Sequence, residues 1–191
     1  MDTVQAVAAA IDQLRTGKQS LVVGVSGYAG SGKSTLARDL VTRLDGSVRI
    51  RGDDFLDPSR SHHRSPDWDG VDRLRLLQQV ISPFRAGQAS SFQRFDWSTG
   101  QLAAPESLPD AGVLIIDCIG LFHPDLHGAF DLAIWVEAEP EVAAQRGQDR
   151  DRQLGRKHDA LWSDVWVPND RDFDQGFSPR EFANIIYRST F

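Results

Sequence analysis

The stretch that decides the fold is GYAGSGKST at residues 27–35, which matches the phosphate-binding pattern GxxxxGK(S/T), the Walker A motif. The β-branched run LVVGV at residues 21–25 precedes it, and residues 33–44 carry apolar side chains at helical spacing. A strand, a glycine-rich turn and a helix in this order are the context that the motif requires. The sequence therefore predicts a loop that binds the phosphates of a nucleoside triphosphate.

The residue types of this loop suit a polyphosphate. Its glycines permit positive φ and let backbone N–H groups approach an anion, at a helix N-terminus that adds partial positive charge. Lys33, one of three lysines against 18 arginines, is expected to reach the β- and γ-phosphates. The Ser34 hydroxyl is expected to ligate Mg²⁺, and Thr35 to contact phosphate. The predicted nucleotide-binding residues are Gly27, Gly30, Ser31, Gly32, Lys33, Ser34 and Thr35.

Length and composition limit the alternatives. A chain of 191 residues, 40% of them hydrophobic, suits one domain, and we expect residues 1–191 to form it. The net charge of -6 and the lack of a lysine-rich run argue against a nucleic-acid partner and favour a small ligand. Cys118 is the single cysteine, which excludes an intramolecular disulfide and a cysteine metal cluster and fits a reducing cytoplasm.

The N-terminal residues 1–16 resemble an amphipathic helix, and they lack the basic start and apolar centre of a signal peptide. No apolar stretch approaches the roughly 20 residues that are needed to cross a bilayer. We therefore expect a soluble, cytoplasmic protein without a membrane partner, whose oligomeric state the sequence leaves open.

Strands and helices alternate along the rest of the chain. Runs of apolar or β-branched residues predict further strands at 47–51, 113–117, 132–136 and 183–187. Helices are predicted at 71–84 and 139–152, a hairpin at 92–97, and a polar loop over the site at 58–70. This order predicts an α/β protein with the P-loop NTPase fold, a parallel sheet with helices on both faces, and ligands at the carboxyl ends of the strands.

Acidic residues follow two of these strands. Asp53 and Asp54 come after residues 47–51, and Asp117 ends the strand at 113–117. All three should face the crevice that holds the triphosphate, where one carboxylate can accept the proton of an attacking hydroxyl and another can orient Mg²⁺. The alternative for Asp53 and Asp54 is a pair that caps the following turn. Ser34, Asp53 and Asp117 are thus the candidate Mg²⁺ residues.

Two other classes of nucleotide-binding protein fit the sequence less well. The guanine-binding motif NKxD is missing, because the nearest string, NDRD at residues 169–172, has no lysine. A motor or multi-subunit ATPase usually needs a longer chain with separate sensor or finger elements. A small-molecule kinase is the better fit.

On these residues the chain resembles the uridine kinase and nicotinamide riboside kinase group of P-loop kinases. The matching segments, in order, are GYAGSGKST, GDDF at 52–55, WD at 68–69, FD at 95–96, DCIG at 117–120, and an arginine-bearing lid at about 146–160. Two positions depart from the group. The group usually has Glu-Gly after the third strand, whereas here Asp117 keeps the acid and Cys118 and Ile119 precede Gly120. A histidine that reads the base after the hairpin in uridine-type members is replaced by Trp97-Ser98-Thr99.

The resemblance implies transfer of the γ-phosphoryl group of ATP, with Mg²⁺, to a hydroxyl of a small molecule, the 5′-hydroxyl of a nucleoside. It implies that Asp53 is the general base, that Asp69 binds the ribose diol, and that Arg150 or Arg152 neutralises the transferring phosphoryl group. Phe95 and Asp96 would contact the acceptor, Phe95 by stacking on its base. The acceptor could instead be another alcohol such as pantothenate or a sugar, or the chain could be a nucleotide-binding switch that transfers nothing.

Simpler interpretations stand beside these roles. Asp69 could be the N-cap of the helix predicted at 71–84. Phe95 and Trp97 could belong to the hydrophobic core, as aromatic residues of a hairpin often do. His62 and His63 lie in the polar loop and are expected to face water, although one of them could touch the substrate.

Overall fold

The computed structural model describes residues 1–188. Its strands are β1 (Leu21–Ser26), β2 (Ser47–Arg51), β3 (Ser91–Phe92), β4 (Phe95–Asp96), β5 (Gln101–Leu102), β6 (Glu106–Ser107), β7 (Val113–Asp117), β8 (Leu132–Glu137) and β9 (Ile185–Arg188). Its α-helices are α1 (Val4–Arg15), α2 (Lys33–Arg43), α3 (Arg73–Leu76), α4 (Ser82–Arg85), α5 (Pro140–Gln153), α6 (Asp159–Leu161) and α7 (Val167–Phe177). Short 3-10 turns lie at Gly52–Phe55 and Pro124–Leu126, and π segments at Leu77–Ile81 and Trp162–Trp166.

The central sheet has five strands in the order β2-β7-β1-β8-β9, and every neighbouring pair is parallel. β1 is the central strand because β7 and β8 pair with its two edges. The phosphate-binding loop follows β1 directly, so it lies at the carboxyl end of the sheet between the strands that end in Asp117 and Glu137. The α/β fold with a parallel sheet, predicted from the sequence, is confirmed.

Both faces of the sheet are covered. The side chains of β1 alternate between two hydrophobic clusters, since Val22 lies in one of them and Val23 in the other. The first cluster includes Leu76 of α3 and Val80 of the π segment that follows it. The second includes Leu36 of α2 together with the buried face of α1. Helices on both faces bury the strands on both sides, which explains why β7 and β8 read as continuous apolar runs.

The helix predicted at 71–84 runs without interruption from Arg73 to Arg85 and contains a π segment. Asp72 is its N-cap and accepts a hydrogen bond from the Arg75 N–H, so the alternative role proposed for Asp69 as this N-cap is wrong. The π segment Leu77–Ile81 follows α3, and Pro83 stands in the first turn of α4. A proline lacks an N–H and clashes with the carbonyl four residues earlier, and a wider π turn accommodates it.

The remaining differences from the sequence prediction are local. The last strand begins at Ile185 rather than residue 183. The hairpin is formed by β4 with β5, while β3 pairs with β6, and both pairs are antiparallel. The loop predicted at 58–70 is more buried than its polar composition suggests, because Trp68 is only 5% exposed. Within residues 1–188, no helix has the length and apolar character of a membrane span.

Candidate active site

The phosphate-binding loop has the backbone shape that its glycines predict. Gly27, Gly30 and Gly32 have φ values of 152°, 83° and 100°, in the region that favours glycine. At Gly30 a side chain is also excluded by space, since a Cβ there would lie 2.0 Å from the Ala143 carbonyl oxygen of α5. Ser31 Oγ is buried and has no hydrogen-bond partner among residues 1–188. Such an unpaired group inside this loop suits a polar ligand, and the residues present fit a triphosphate.

Lys33 folds back over this loop. Its Nζ donates to the Gly27 carbonyl at 3.0 Å and to the Tyr28 carbonyl at 2.7 Å, and the side chain is buried. Burial lowers the pKa of Lys33, although the charges of Asp170 and Asp53 oppose that shift. The ammonium is thus held at the mouth of the loop by carbonyl oxygens, for which phosphate oxygens can substitute.

Ser34 and Asp117 meet at the carboxyl end of the sheet. The Ser34 hydroxyl donates to Asp117 Oδ2 at 2.6 Å, and Arg49 on the neighbouring strand forms a two-pronged ion pair with the same carboxylate at 2.6 and 2.7 Å. The sequence prediction did not include Arg49. Its guanidinium fixes the orientation of Asp117 toward the loop, because a fork of two N–H groups matches the two carboxylate oxygens.

Asp53 lines the same cavity as Ser34 and Asp117. Its side chain is 43% exposed, and its nearest ion-pair partner is Arg51, at 3.8 Å. The pKa of Asp53 is raised because the surrounding cleft desolvates the carboxylate and because Asp117 repels it. Asp54 points elsewhere: it is buried, with Arg94 at 3.3 Å and Arg51 at 3.8 Å. The two adjacent carboxylates therefore have different surroundings, and Asp53 alone of the two lines the cavity.

The candidate Mg²⁺ residues fit the ion. Ser34, Asp53 and Asp117 present hard oxygen atoms, and the repulsion between the two carboxylates is of the kind that a divalent cation relieves. Within the described part of the chain, no group of three or more His, Cys, Asp or Glu side chains could hold a metal by itself. Mg²⁺ commonly keeps several waters and binds through one or two protein oxygens plus phosphates, so this composition agrees with it.

Gly52 brings Asp53 close to Asp117. A Cβ on Gly52 would lie 2.1 Å from Cys118 Cβ and 2.2 Å from its Sγ, so no side chain fits there without moving the strand end. We predict that Gly52→Ala destabilises the protein by about 1–3 kcal/mol, through overpacking against β7. Urea unfolding would measure it. Gly176→Ala is the control, because Gly176 lies in α7 with open space around it, and there alanine should be neutral or stabilising. Equal stability of the two variants would contradict the close contact.

A cavity of about 700 Å³ joins these groups. Its lining includes the phosphate-binding loop, Asp117 and Arg146, Arg150 and Arg156. Asp151, which is buried, connects two of the lining residues: it accepts hydrogen bonds from Arg150 at 3.0 Å and from Trp162 at 3.0 Å. Of the two arginines that the sequence left open, Arg150 lines the cavity. Arg152 does not line the cavity, and it pairs with Asp159 at 2.8 Å.

Part of the cavity lining is aromatic. His62, Trp97 and Trp166 belong to this part, and the His62 ring lies 5.1 Å from Trp97 and 6.3 Å from Trp166. His62 is half-buried beside these indoles, with a left-handed backbone at φ of 66°, whereas His63 is exposed, so the expectation that both face water holds for His63 and is wrong in part for His62. Trp97 is 44% exposed, which leaves part of its surface available to a ligand.

Three of the predicted acceptor contacts lie outside this lining. Phe95 is buried in the hydrophobic core and touches the cavity wall through Trp97, at a ring distance of 5.6 Å. The Asp96 carboxylate is engaged in the hairpin turn, where it accepts from the Ser98 N–H at 2.8 Å. Asp69 lies 3.9 Å from Arg60, and it is Arg60 that lines the cavity. Their roles toward an acceptor stay predictions.

Two residues that the sequence did not mark contact the loops of the site, and Asn169 also lines the cavity. Asp170 accepts a hydrogen bond from the Ala29 N–H of the phosphate-binding loop, and the side chain of Asn169 accepts one from the Ser65 N–H. They belong to the string NDRD at residues 169–172, which the sequence indicated only as a guanine-binding motif without its lysine. No local pattern could have identified them, since their partners are more than a hundred residues away in the chain.

Comparison with known proteins shows the family of the chain. Residues 2–163 match the model of the family described as AAA ATPase domain. A uridine kinase of Leuconostoc citreum is 28% identical over 184 residues, which are 89% of this chain and 88% of that protein. Uridine-cytidine kinases C and A of Dictyostelium discoideum are 29% and 26% identical, but the matches span only 29% and 36% of those longer proteins.

Solved structures share the fold. One from Bacillus stearothermophilus, described as a possible uridine kinase, has a TM-score of 0.72 at 17% identity, with 96% of each chain covered. One from Silicibacter sp. TM1040, described as a candidate fructose transport system kinase, has a TM-score of 0.78 at 21% identity, covering 97% of this chain and 99% of that one. The chain therefore belongs to the AAA ATPase domain family of P-loop proteins, and its resemblance to the uridine kinase group is confirmed.

Proposed function

We propose that this protein is an ATP-dependent kinase that transfers the γ-phosphoryl group to a hydroxyl of a small molecule, the 5′-hydroxyl of a nucleoside. The observation that carries the proposal is that Lys33 and Asp53 line the same cavity, together with arginines and aromatic rings. A phosphate-binding loop alone serves many nucleotide-binding proteins, whereas a carboxylate in the same cavity suits the activation of a hydroxyl.

The chemistry divides among these side chains. The triphosphate lies along the loop amides, and Lys33 and Arg150 balance the charge that develops on the transferring phosphoryl group. Asp53 accepts the proton of the attacking hydroxyl, and its raised pKa makes it a stronger base than an ordinary aspartate. Mg²⁺, bound near Ser34 and Asp117, would neutralise phosphate charge. Most of the rate enhancement would come from positioning and charge.

The aromatic part of the cavity lining suits a flat, partly apolar acceptor. Trp97 offers an exposed indole face, and His62 beside it offers a ring nitrogen for a hydrogen bond. The pKa of His62 is lowered, mainly by burial and further by His158, so the imidazole is neutral at physiological pH. A nucleoside combines a stacking base with a primary hydroxyl, and the uridine kinase relatives, by their names, act on such molecules.

We predict that ADP release depends on the acceptor. Purified protein with MgATP should release ADP at least about tenfold faster with its acceptor than without, because water is excluded until the site is assembled. A coupled ADP assay with uridine, cytidine, nicotinamide riboside, pantothenate and fructose would measure this. The control is 5′-deoxyuridine, which keeps the base and the diol and lacks the attacked hydroxyl.

Each result of this assay has a meaning. Activity with uridine and none with 5′-deoxyuridine supports the nucleoside assignment. Activity with pantothenate or fructose alone keeps the kinase and replaces the acceptor. Tight MgATP binding with no acceptor-dependent ADP from any of them would identify a nucleotide-binding switch and overturn the proposal.

A further inference from the structure

One carboxylate bridges the two halves of the candidate active site. Asp170 Oδ2 accepts the Ala29 N–H at 2.7 Å, and Asp170 Oδ1 accepts the Trp68 indole N–H at 3.1 Å. Ala29 belongs to the phosphate-binding loop, and Trp68 belongs to residues 58–70, which form one wall of the cavity and which we call the acceptor loop. Each oxygen therefore holds a donor from a different loop.

The neighbouring residue strengthens the same connection. Asn169 accepts the Ser65 N–H at 2.8 Å and donates to the His63 carbonyl at 3.1 Å, so α7 binds the acceptor loop at two successive positions. Trp68 is buried and has a left-handed backbone, with φ of 55°. A bulky residue in that conformation is strained and persists only where its surroundings hold it. The bond to Asp170 is one of the contacts that hold it.

The pKa of Asp170 indicates that its ionised carboxylate does not stabilise the fold. Burial raises its pKa to about 6, with Asp174 adding to the shift and Lys33 opposing it, and the Tyr28 hydroxyl also faces the group. The folded protein thus binds this proton more tightly than the unfolded chain does. Between the ordinary aspartate pKa of about 4 and the raised value, stability falls as the pH rises, so the ionised carboxylate opposes folding at neutral pH.

We propose that Asp170 is a positioning residue that ties the phosphate-binding loop to the acceptor loop, so that nucleotide binding orders the acceptor site. Nucleotide contacts with the loop would be transmitted through the Ala29 bond to Trp68 and from there to the cavity wall. The part of this proposal that concerns an acceptor rests on the proposed kinase function. The coupling between the two loops does not, and it can be measured without any phosphoryl acceptor.

The first test is hydrogen exchange of the full chain with Mg²⁺ and a non-hydrolysable ATP analogue. In the parent protein the analogue should slow exchange in the phosphate-binding loop and in residues 61–70. In Asp170→Asn the analogue should still protect the phosphate-binding loop, whereas protection of residues 61–70 should fall by about tenfold. The reason is that the two donors use different oxygens of Asp170, and asparagine has an accepting oxygen at only one of these positions. Asp172→Asn is the matched control: Asp172 pairs with Arg64 of the same loop but contacts neither Ala29 nor Trp68.

The second test is a double-mutant cycle with Trp68→Phe, which removes the indole N–H and keeps an aromatic ring. With uridine as acceptor, each single variant should raise the acceptor KM by about tenfold at nearly unchanged ATP affinity, and the double variant should be no worse than Asp170→Asn. Thermal unfolding at pH 7 should show a cooperative transition for Asp170→Asn, with a flatter stability profile between about pH 4 and 6 than that of the parent. Loss of this transition would show that the residue is required for folding, and it would overturn the positioning role.

These outcomes separate the two proposals. If no acceptor is phosphorylated but the exchange result appears, the kinase function fails and the positioning role stands. Unchanged protection of residues 61–70 in Asp170→Asn, or an equal loss in Asp172→Asn, overturns the positioning role. Additive effects of Asp170→Asn and Trp68→Phe overturn it as well, because they would show that the two residues act separately.

Discussion

Replacing Lys33 by alanine should lower kcat/KM for ATP by about 10²-fold or more. The Lys33 ammonium is buried at the mouth of the phosphate-binding loop and is already held by the Gly27 and Tyr28 carbonyls, so it needs little movement to meet a triphosphate. Such a preorganised charge in a poorly solvated place acts more strongly than one in water. Steady-state kinetics and calorimetry with MgATP would measure the loss in turnover and in affinity.

The chain contains its own control for this experiment. Lys18 is 44% exposed and pairs with Asp131 at 3.0 Å, away from the cavity, so Lys18→Ala should leave both quantities within about twofold of the parent. Loss of the fold is not expected in Lys33→Ala, because burial lowers the pKa of Lys33 and its charge therefore costs stability. If Lys33→Ala bound and turned over ATP like Lys18→Ala, the loop would not be the phosphate site.

The sequence predicted the strands and the loop that depend on residues near one another in the chain. The Walker A motif with its flanks gave β1, the loop and α2, and the apolar runs gave β7 and β8, because strands buried on both faces have few polar residues. Asp53 and Asp117 were placed at the site because strands of one parallel sheet end at the same edge. Lys33 was placed by its position in the motif.

Those patterns do not predict contacts between residues that are far apart in the chain. The bond from Ala29 to Asp170 joins residues 141 positions apart, and the pair of Arg49 with Asp117 spans 68. His62 was expected in water because its segment is polar, yet composition averages over a loop and does not show which way one left-handed residue turns. Pairing of β2 with β7 brings Arg49 to Asp117, and packing of α7 against the loops brings Asp170 to Ala29, and both are properties of the folded chain.

The final prediction concerns the proposed base. Asp53→Asn should reduce phosphoryl transfer by roughly 10²-fold or more while MgATP affinity stays within about threefold, since asparagine keeps the shape and cannot take a proton. The same change at Asp54 is the matched control: this neighbouring carboxylate is buried against Arg94 and does not line the cavity, so its turnover should stay within about threefold of the parent.

The pH profile gives this experiment an independent readout. A base must be deprotonated to act, and the pKa of Asp53 is raised by desolvation and by Asp117, so parent activity should rise with pH above the ordinary aspartate range of about 4. Asp53→Asn should lack this rise, whereas Asp54→Asn should keep it. A loss of rate without a change in profile would make Asp53 a contact of the acceptor, and equal turnover in parent and Asp53→Asn would remove it from the reaction.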